Sequence, residues 1–420
     1  MPESASRKKS FLISVFLGGC ALALVASIVK SPDEAFRASL GGLQIWWDTV
    51  FPGLLPPLML AELLAASGLL HGVAALGSPA FRRLFKLPAS AGWVVAFGWT
   101  AGLPAGARET ARLRDRSLIR GREAESLLLL SHMPNPFLVI VVVGSGFLHA
   151  PVYGWAIVAG LWISGIAAGM LWPRLSGRDP AAAEPSDESS RDGDASRQPA
   201  DSALRRAFRA MQEARLADAR PFGKQTADAV TSAVATLFAI GGLMMMSAVV
   251  LRILQTALPG TDAWLTIPSL YEMHLGAYAS GRSALFESAP AKAAALIAAA
   301  LAWSGVSGLL QARAAWTGSR FPWSRFIAGR LLHAALALAA TYPLAVAAQR
   351  GWLAPLAPAW LGISGPIAAS EPAAGPLPSG WALLPGTTLA AIACLGIFVL
   401  LALLAALISP RRRDGKRRPK

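Results

Sequence analysis

The chain has 420 residues, of which 54% are hydrophobic and only 15% charged, and its formal net charge is +15. A soluble core does not need so much apolar surface, so the composition places the chain among polytopic membrane proteins. The basic residues stand in short runs between apolar spans, which is a pattern of membrane orientation, and no nucleic acid is expected as a partner.

The first element is Phe11 to Val29, preceded by Arg7, Lys8 and Lys9. It is long enough to span and has no small-residue cleavage site after it, so it reads as a retained helix and not as a signal peptide. A helix crossing about 30 Å of hydrocarbon needs roughly 20 apolar residues. Further candidates follow at Trp46 to Leu70, Ser126 to Leu148, Pro151 to Trp172, Thr226 to Leu251, Ala291 to Gln311, Trp323 to Ala347 and Trp381 to Leu407, eight spans in all. Cys20 and Cys394 lie inside apolar spans as small hydrophobes, and neither a disulfide nor a metal site is expected from them.

Two apolar stretches, Leu87 to Ala107 and Leu265 to Leu285, are interrupted by glycine, proline and polar residues. If each enters and leaves on one side, the runs at Arg7 to Lys9, Arg82 to Lys86, Arg108 to Arg122, Pro173 to Gln225, Arg313 to Arg325 and the tail from Arg411 all face the cytoplasm. Lys30, Arg37, Arg252, Arg282, Lys292 and Arg350 then fall at or near the outside, and Arg330 falls within a span. If both stretches cross, the asymmetry vanishes. The expected fold is therefore an all-α multi-pass membrane protein with about eight transmembrane helices, two re-entrant hairpins and both termini cytoplasmic.

The element order repeats. A span, a cytoplasmic hairpin and two spans occupy residues 46–172, and a span, an outer hairpin and two spans occupy 226–348. "VVVGSGF" (Val141 to Phe147) and "AWTGSRF" (Ala315 to Phe321) hold corresponding positions, which suggests an inverted-topology repeat of the kind found in secondary transporters. Residues 1–45 form an N-terminal helix and amphipathic connector, 173–225 a cytoplasmic linker read as disordered, 349–380 an outer Pro-rich loop, and 381–420 a last helix and basic tail. Ala203 to Ala219 reads as a charged amphipathic helix whose Leu204, Phe208, Met211 and Leu216 rest on the membrane surface, or else as a solvated connector.

Non-helical backbone is tolerated at membrane depth only where it is buried in protein or lines a cavity. The first hairpin carries Gly98, Gly102, Pro104 and Gly106, with the Thr100 hydroxyl beside them. The third span breaks at Asn135 between Pro134 and Pro136, just after Ser131 and His132, and its counterpart holds Ser304, Gly305, Ser307 and Gln311. The outer hairpin holds Glu272, His274, Gly276 and Arg282. Broken helices expose N–H groups at one end and carbonyls at the other, which can hold ions; small and polar residues also serve as packing between helices. Glu62 and Glu272 are candidates for binding a coupling proton or cation, or are held by structural partners. Arg330 and His333 read as snorkelling or structurally paired. Trp46, Trp47, Trp172, Trp264, Trp323 and Trp381 read as interfacial anchors, and Trp99 and Trp303 as cavity lining. No phosphate-binding loop, zinc-protease motif or nucleophile elbow is present, so neither enzymatic activity nor a cofactor is expected.

"FPGLLPPLMLAELL", "FGWTAGLPAGARETARLR", "NPFLV", "PFGKQTADAVTSAVATLFAIGG", "LYEMHLG" and "AWSGVSGLLQ" together resemble the YlbJ/SpoVV family of sporulation integral membrane proteins, over about Phe51 to Leu344. The resemblance implies a Gate-type core shared with nucleoside-recognition domains and, distantly, with concentrative nucleoside transporters. It also implies a multi-pass location in the outer forespore membrane and export of dipicolinic acid, a small anionic metabolite. Carried over by position, its motif residues are Glu62, Gly98, Gly102, Pro104, Gly106, Glu272, Gly276, Ser304 and Gln311, while "SHMPNP" around Asn135 departs from the family pattern. A nucleoside or other solute carrier, and a non-transporting membrane scaffold, are the alternative readings.

Overall fold

The computed structural model describes residues 2–88, 90–119, 121–175, 203–257, 267–316 and 321–351, and every regular element among them is helical. Five helices are long and apolar enough to cross a membrane: Pro32–Ala66, Pro151–Leu175, Phe222–Ala257, Pro290–Ala315 and Trp323–Gln349. The protein is therefore a polytopic all-α membrane protein.

The expected count of eight spans is not reached among the described residues, for separable reasons. Trp381 to Leu407 lies outside them, as do the Pro-rich loop beyond Gly351, the basic tail, residues 176–202 of the linker, Trp264, Trp381 and Cys394. Phe11 to Val29 lies within the helix Pro2–Lys30, whose apolar part, Ser14–Lys30, is shorter than the five. Ser126 to Leu148 is interrupted in the middle, leaving Gly121–Ser131 and a π-helical Leu138–Phe147. The span expected to start at Trp46 starts at Pro32 instead. Proline is accommodated in the first turn of a helix, and the chain passes through Trp46–Val50 as a π-helical turn without stopping.

Trp46 corrects a second expectation. It is buried, not interfacial, and its indole N–H donates to the Leu237 carbonyl at 2.9 Å. Phe51 and Phe238 pack on its ring at 5.1 and 5.5 Å. Gly42, one turn earlier, faces the backbone of Met245, so small residues let Pro32–Ala66 and Phe222–Ala257 run in close contact. The helices that end the segments 46–172 and 226–348, Pro151–Leu175 and Trp323–Gln349, likewise pack on each other, with Gly160 against Thr341. Opener thus meets opener and closer meets closer.

The connector helix Ala203–Asp218 lies along Leu69–Phe85, where Gly68 and Gly72 admit the backbone of Met211 and Ala207. Met211 therefore faces protein, whereas Leu204, Phe208 and Leu216 are exposed.

Candidate functional site

Both interrupted stretches fold back on themselves. In the first, Ala91–Ala101 and Ala105–Asp115 are joined through Gly102, whose φ of 80° and ψ of −159° lie where only glycine is comfortable. Gly98 and Gly106 bring the two arms together beside the Ser131 carbonyl, and a Cβ on either would run into it. In the second, Pro268–Tyr271 and Met273–Gly281 are joined through Glu272 in an extended conformation.

Each hairpin turn sits against the break of the helix that follows it. Asn135 packs on Gly102, where an added Cβ would stand 2.8 Å from Asn135 Nδ2. That Nδ2 donates to the Ala101 carbonyl at 3.4 Å, while the Leu138 N–H donates to Asn135 Oδ1 at 2.6 Å. Asn135 thus caps the new helix start and tethers it to the hairpin. In the second segment Pro290–Trp303 passes into Gly305–Ala315 through Ser304 and Gly305, both at φ 69°. A Cβ on Gly305 would stand 2.8 Å from the Tyr271 carbonyl oxygen and 2.9 Å from the Glu272 amide nitrogen.

Glu272 and His274 are almost wholly buried. The Glu272 carboxylate accepts from the Leu275 N–H at 2.7 Å and meets His274 Nδ1 at 2.6 Å, so it caps the second arm of its hairpin and pairs with the ring. Gly276 lies against Ser269 on the other arm.

The two mid-chain tryptophans hold these parts together. Trp99 Nε1 of the first hairpin donates to the Leu130 carbonyl of the broken helix at 2.8 Å. Trp303 Nε1 of the second broken helix donates to the Leu270 carbonyl of its hairpin at 3.3 Å. The donor sits on the hairpin in one segment and on the broken helix in the other. Their mid-span positions suggest cavity lining; in the structure both indoles fasten turn to break.

The remaining expected residues divide. The Thr100 hydroxyl donates to the Ala96 carbonyl within its own helix at 2.7 Å. Ser131 meets Thr110 Oγ1 at 3.0 Å, and that hydroxyl also donates to the Gly106 carbonyl at 2.8 Å. Ser304 donates to the Trp303 carbonyl, whereas the buried Ser307 Oγ has no partner. Gln311 is half-buried two turns into Gly305–Ala315. Glu62 lies beside the first hairpin. It accepts from the Ser232 hydroxyl at 2.8 Å and, with Pro104, Arg108 and Thr236, lines a cleft between the two opening helices and the first hairpin.

Of the two readings of Arg330, snorkelling and structural pairing, the structure shows the second. Its side chain is wholly buried, and Nη1 donates at 2.7 Å to the His132 carbonyl. That oxygen belongs to the end of the helix Gly121–Ser131, where the last carbonyls have no intrahelical donor and a cation is favoured. His333, one turn on, is also buried, with Nε2 3.4 Å from the Leu161 carbonyl. Sequence reasoning missed this link; the signal for it was a charged residue inside an apolar span. Two further links join the segments: Arg325 to Glu125 at 2.6 Å, and Arg114 stacked 4.1 Å over the Trp316 ring.

Among known proteins, the chain is 35% identical over 249 residues to a sporulation integral membrane protein, YlbJ of Bacillus subtilis (strain 168). The match covers 59% of this chain and 58% of that relative, so the chain spans less than two thirds of the relative's length. No family model matches, and no solved structure matches.

Proposed function

We propose, from its similarity to YlbJ of Bacillus subtilis, that this chain is a member of the same family and a carrier that moves a small anionic metabolite, dipicolinic acid, across the forespore membrane during sporulation. Its two hairpins re-enter the bilayer from opposite sides, in an inverted repeat, and transport runs by alternating access around them. The observation that carries this reading is the pairing of each hairpin turn with a broken helix, Gly102 with Asn135 and Glu272 with Gly305. Four interruptions of regular backbone inside a mostly apolar fold are tolerated where they are buried in protein or line a pathway, and transporters use such breaks to build their binding sites. The helix starts at Leu138 and Gly305 add partial positive charge suited to a flat dicarboxylate. Glu62, at its cleft beside Pro104 and Arg108, is the candidate for a coupling proton or cation.

The test is flux in reconstituted vesicles. The wild-type protein should move labelled dipicolinate faster than protein-free vesicles do, and Asn135→Ala and Glu272→Ala should slow it while still inserting. Movement of uridine without dipicolinate would replace this substrate with a nucleoside, and movement of neither would leave a scaffold.

A further inference from the structure

Arg330 is among the largest fully buried side chains of the described residues, and only one of its nitrogens is engaged. Nη1 is committed to the His132 carbonyl, whereas Nε and Nη2 have no hydrogen-bond partner. Nε and Nη2 share one edge of the planar guanidinium and present two parallel N–H bonds, the fork that grips a carboxylate in two places. The free edge is therefore the one suited to an oxyanion.

The surroundings point the same way. His132, buried and with both ring nitrogens unpartnered, lies within electrostatic reach of Arg330 and of His333, whose Nδ1 is also unpartnered. Its Nε2 would stand 3.7 Å from a Cβ on Gly308, in the first turn of Gly305–Ala315, the turn that holds the unpartnered Ser307 hydroxyl. His132 thus holds the guanidinium through its backbone carbonyl while its ring lies against a helix N-terminus. These groups are donors or potential donors, and the carbonyl end of Gly121–Ser131 offers the guanidinium only a partial negative charge. A buried cation without a full counter-charge is costly, and an anion brought alongside it offsets that cost.

We propose that the free edge of Arg330 is the docking point for a carboxylate of the transported solute, with His132, Ser307 and the first turn of Gly305–Ala315 completing its shell. This rests on the anionic-substrate reading above and adds a residue to it. All three side chains are closed off from solvent, so the carboxylate reaches them only after the broken helices part.

The experiment measures equilibrium binding to the purified full-length protein of four probes: dipicolinate, its uncharged dimethyl ester, benzoate and uridine. The wild-type protein should bind dipicolinate well, benzoate more weakly and the ester at least tenfold more weakly than the diacid. Arg330→Met should lower dipicolinate affinity by at least about thirtyfold, as for removal of one partner from a buried charge pair. Arg330→Lys, which keeps charge and loses the fork, should fall between. Methionine in place of a buried cation is tolerated in well-packed sites, and gel filtration verifies folding. If Arg330→Met does not fold, the ester and Arg330→Lys decide. Equal binding of ester and diacid, or full affinity in a folded Arg330→Met or Arg330→Lys protein, overturns the site while dipicolinate transport stands. Arg330-dependent binding of benzoate with no dipicolinate flux does the reverse, keeping the site and discarding the substrate. Binding of uridine alone discards both.

Discussion

Gly102 and Asn135 are in direct contact, and the backbone of Gly102 takes a conformation essentially restricted to glycine. Gly102→Ala should therefore destabilise the protein by about 1 to 3 kcal/mol from backbone strain alone, with the collision against Asn135 added. The comparison is Gly77→Ala, in the helix Leu69–Phe85, where a Cβ meets nothing within 4 Å. That change should be neutral or stabilising by up to about 1 kcal/mol. Thermal unfolding of both variants in detergent reads the difference, and equal melting temperatures would contradict the close contact.

Asn135 serves two helices through two atoms, and substitutions can separate them. Asn135→Asp keeps an oxygen for the Leu138 N–H but loses the donor to the Ala101 carbonyl, whereas Asn135→Leu loses both. Loss of the cap costs about 0.5 to 2 kcal/mol. Expression and melting temperature should place Asn135→Leu below wild type. If Asn135 were instead free to contact solute, stability would be untouched by either change.

Arg83 and Arg112 bracket the first hairpin, and both are exposed. The re-entrant arrangement requires cysteines at these positions to be modified from the same side, the cytoplasmic one, by a membrane-impermeant maleimide. Labelling from opposite sides would mean that the stretch crosses, and the inverted repeat would then fail.

The Arg325 to Glu125 pair joins the broken helix of the first segment to the closing helix of the second. Reversing one charge, by Arg325→Glu, should cost roughly 1 kcal/mol or less for a part-exposed pair. The double reversal Arg325→Glu with Glu125→Arg should restore most of it, as read by a double-mutant cycle. Additive losses would show that the two side chains do not act on each other.

Much of the architecture was readable because interruptions in an apolar helix leave chemical marks. Pro134 and Pro136 flank Asn135, Gly102 precedes Pro104, and Ser304 with Gly305 ends a run of alanines; the structure breaks at each. The places that escaped are those where the deciding partner is remote in sequence. Trp46 looks like an interfacial anchor until Leu237, 191 residues away, takes its N–H. Arg330 reads as snorkelling or structurally paired, and only the His132 carbonyl, 198 residues away, identifies the partner of its Nη1. In Ser126 to Leu148 the break at Asn135 is legible, and the structure sets Gly121–Ser131 and Leu138–Phe147 on its two sides.

The indoles of Trp99 and Trp303 each grip a carbonyl within their own half of the molecule. Prying a hairpin away from its neighbouring helix would strip a buried N–H of its acceptor, a loss of about 1 to 3 kcal/mol in a low-dielectric interior. Sliding one half past the other leaves both indoles engaged. Such a slide must instead release the Trp46 indole from the Leu237 carbonyl and the Arg330 guanidinium from the His132 carbonyl, so these two contacts, and not the hairpin staples, set its cost.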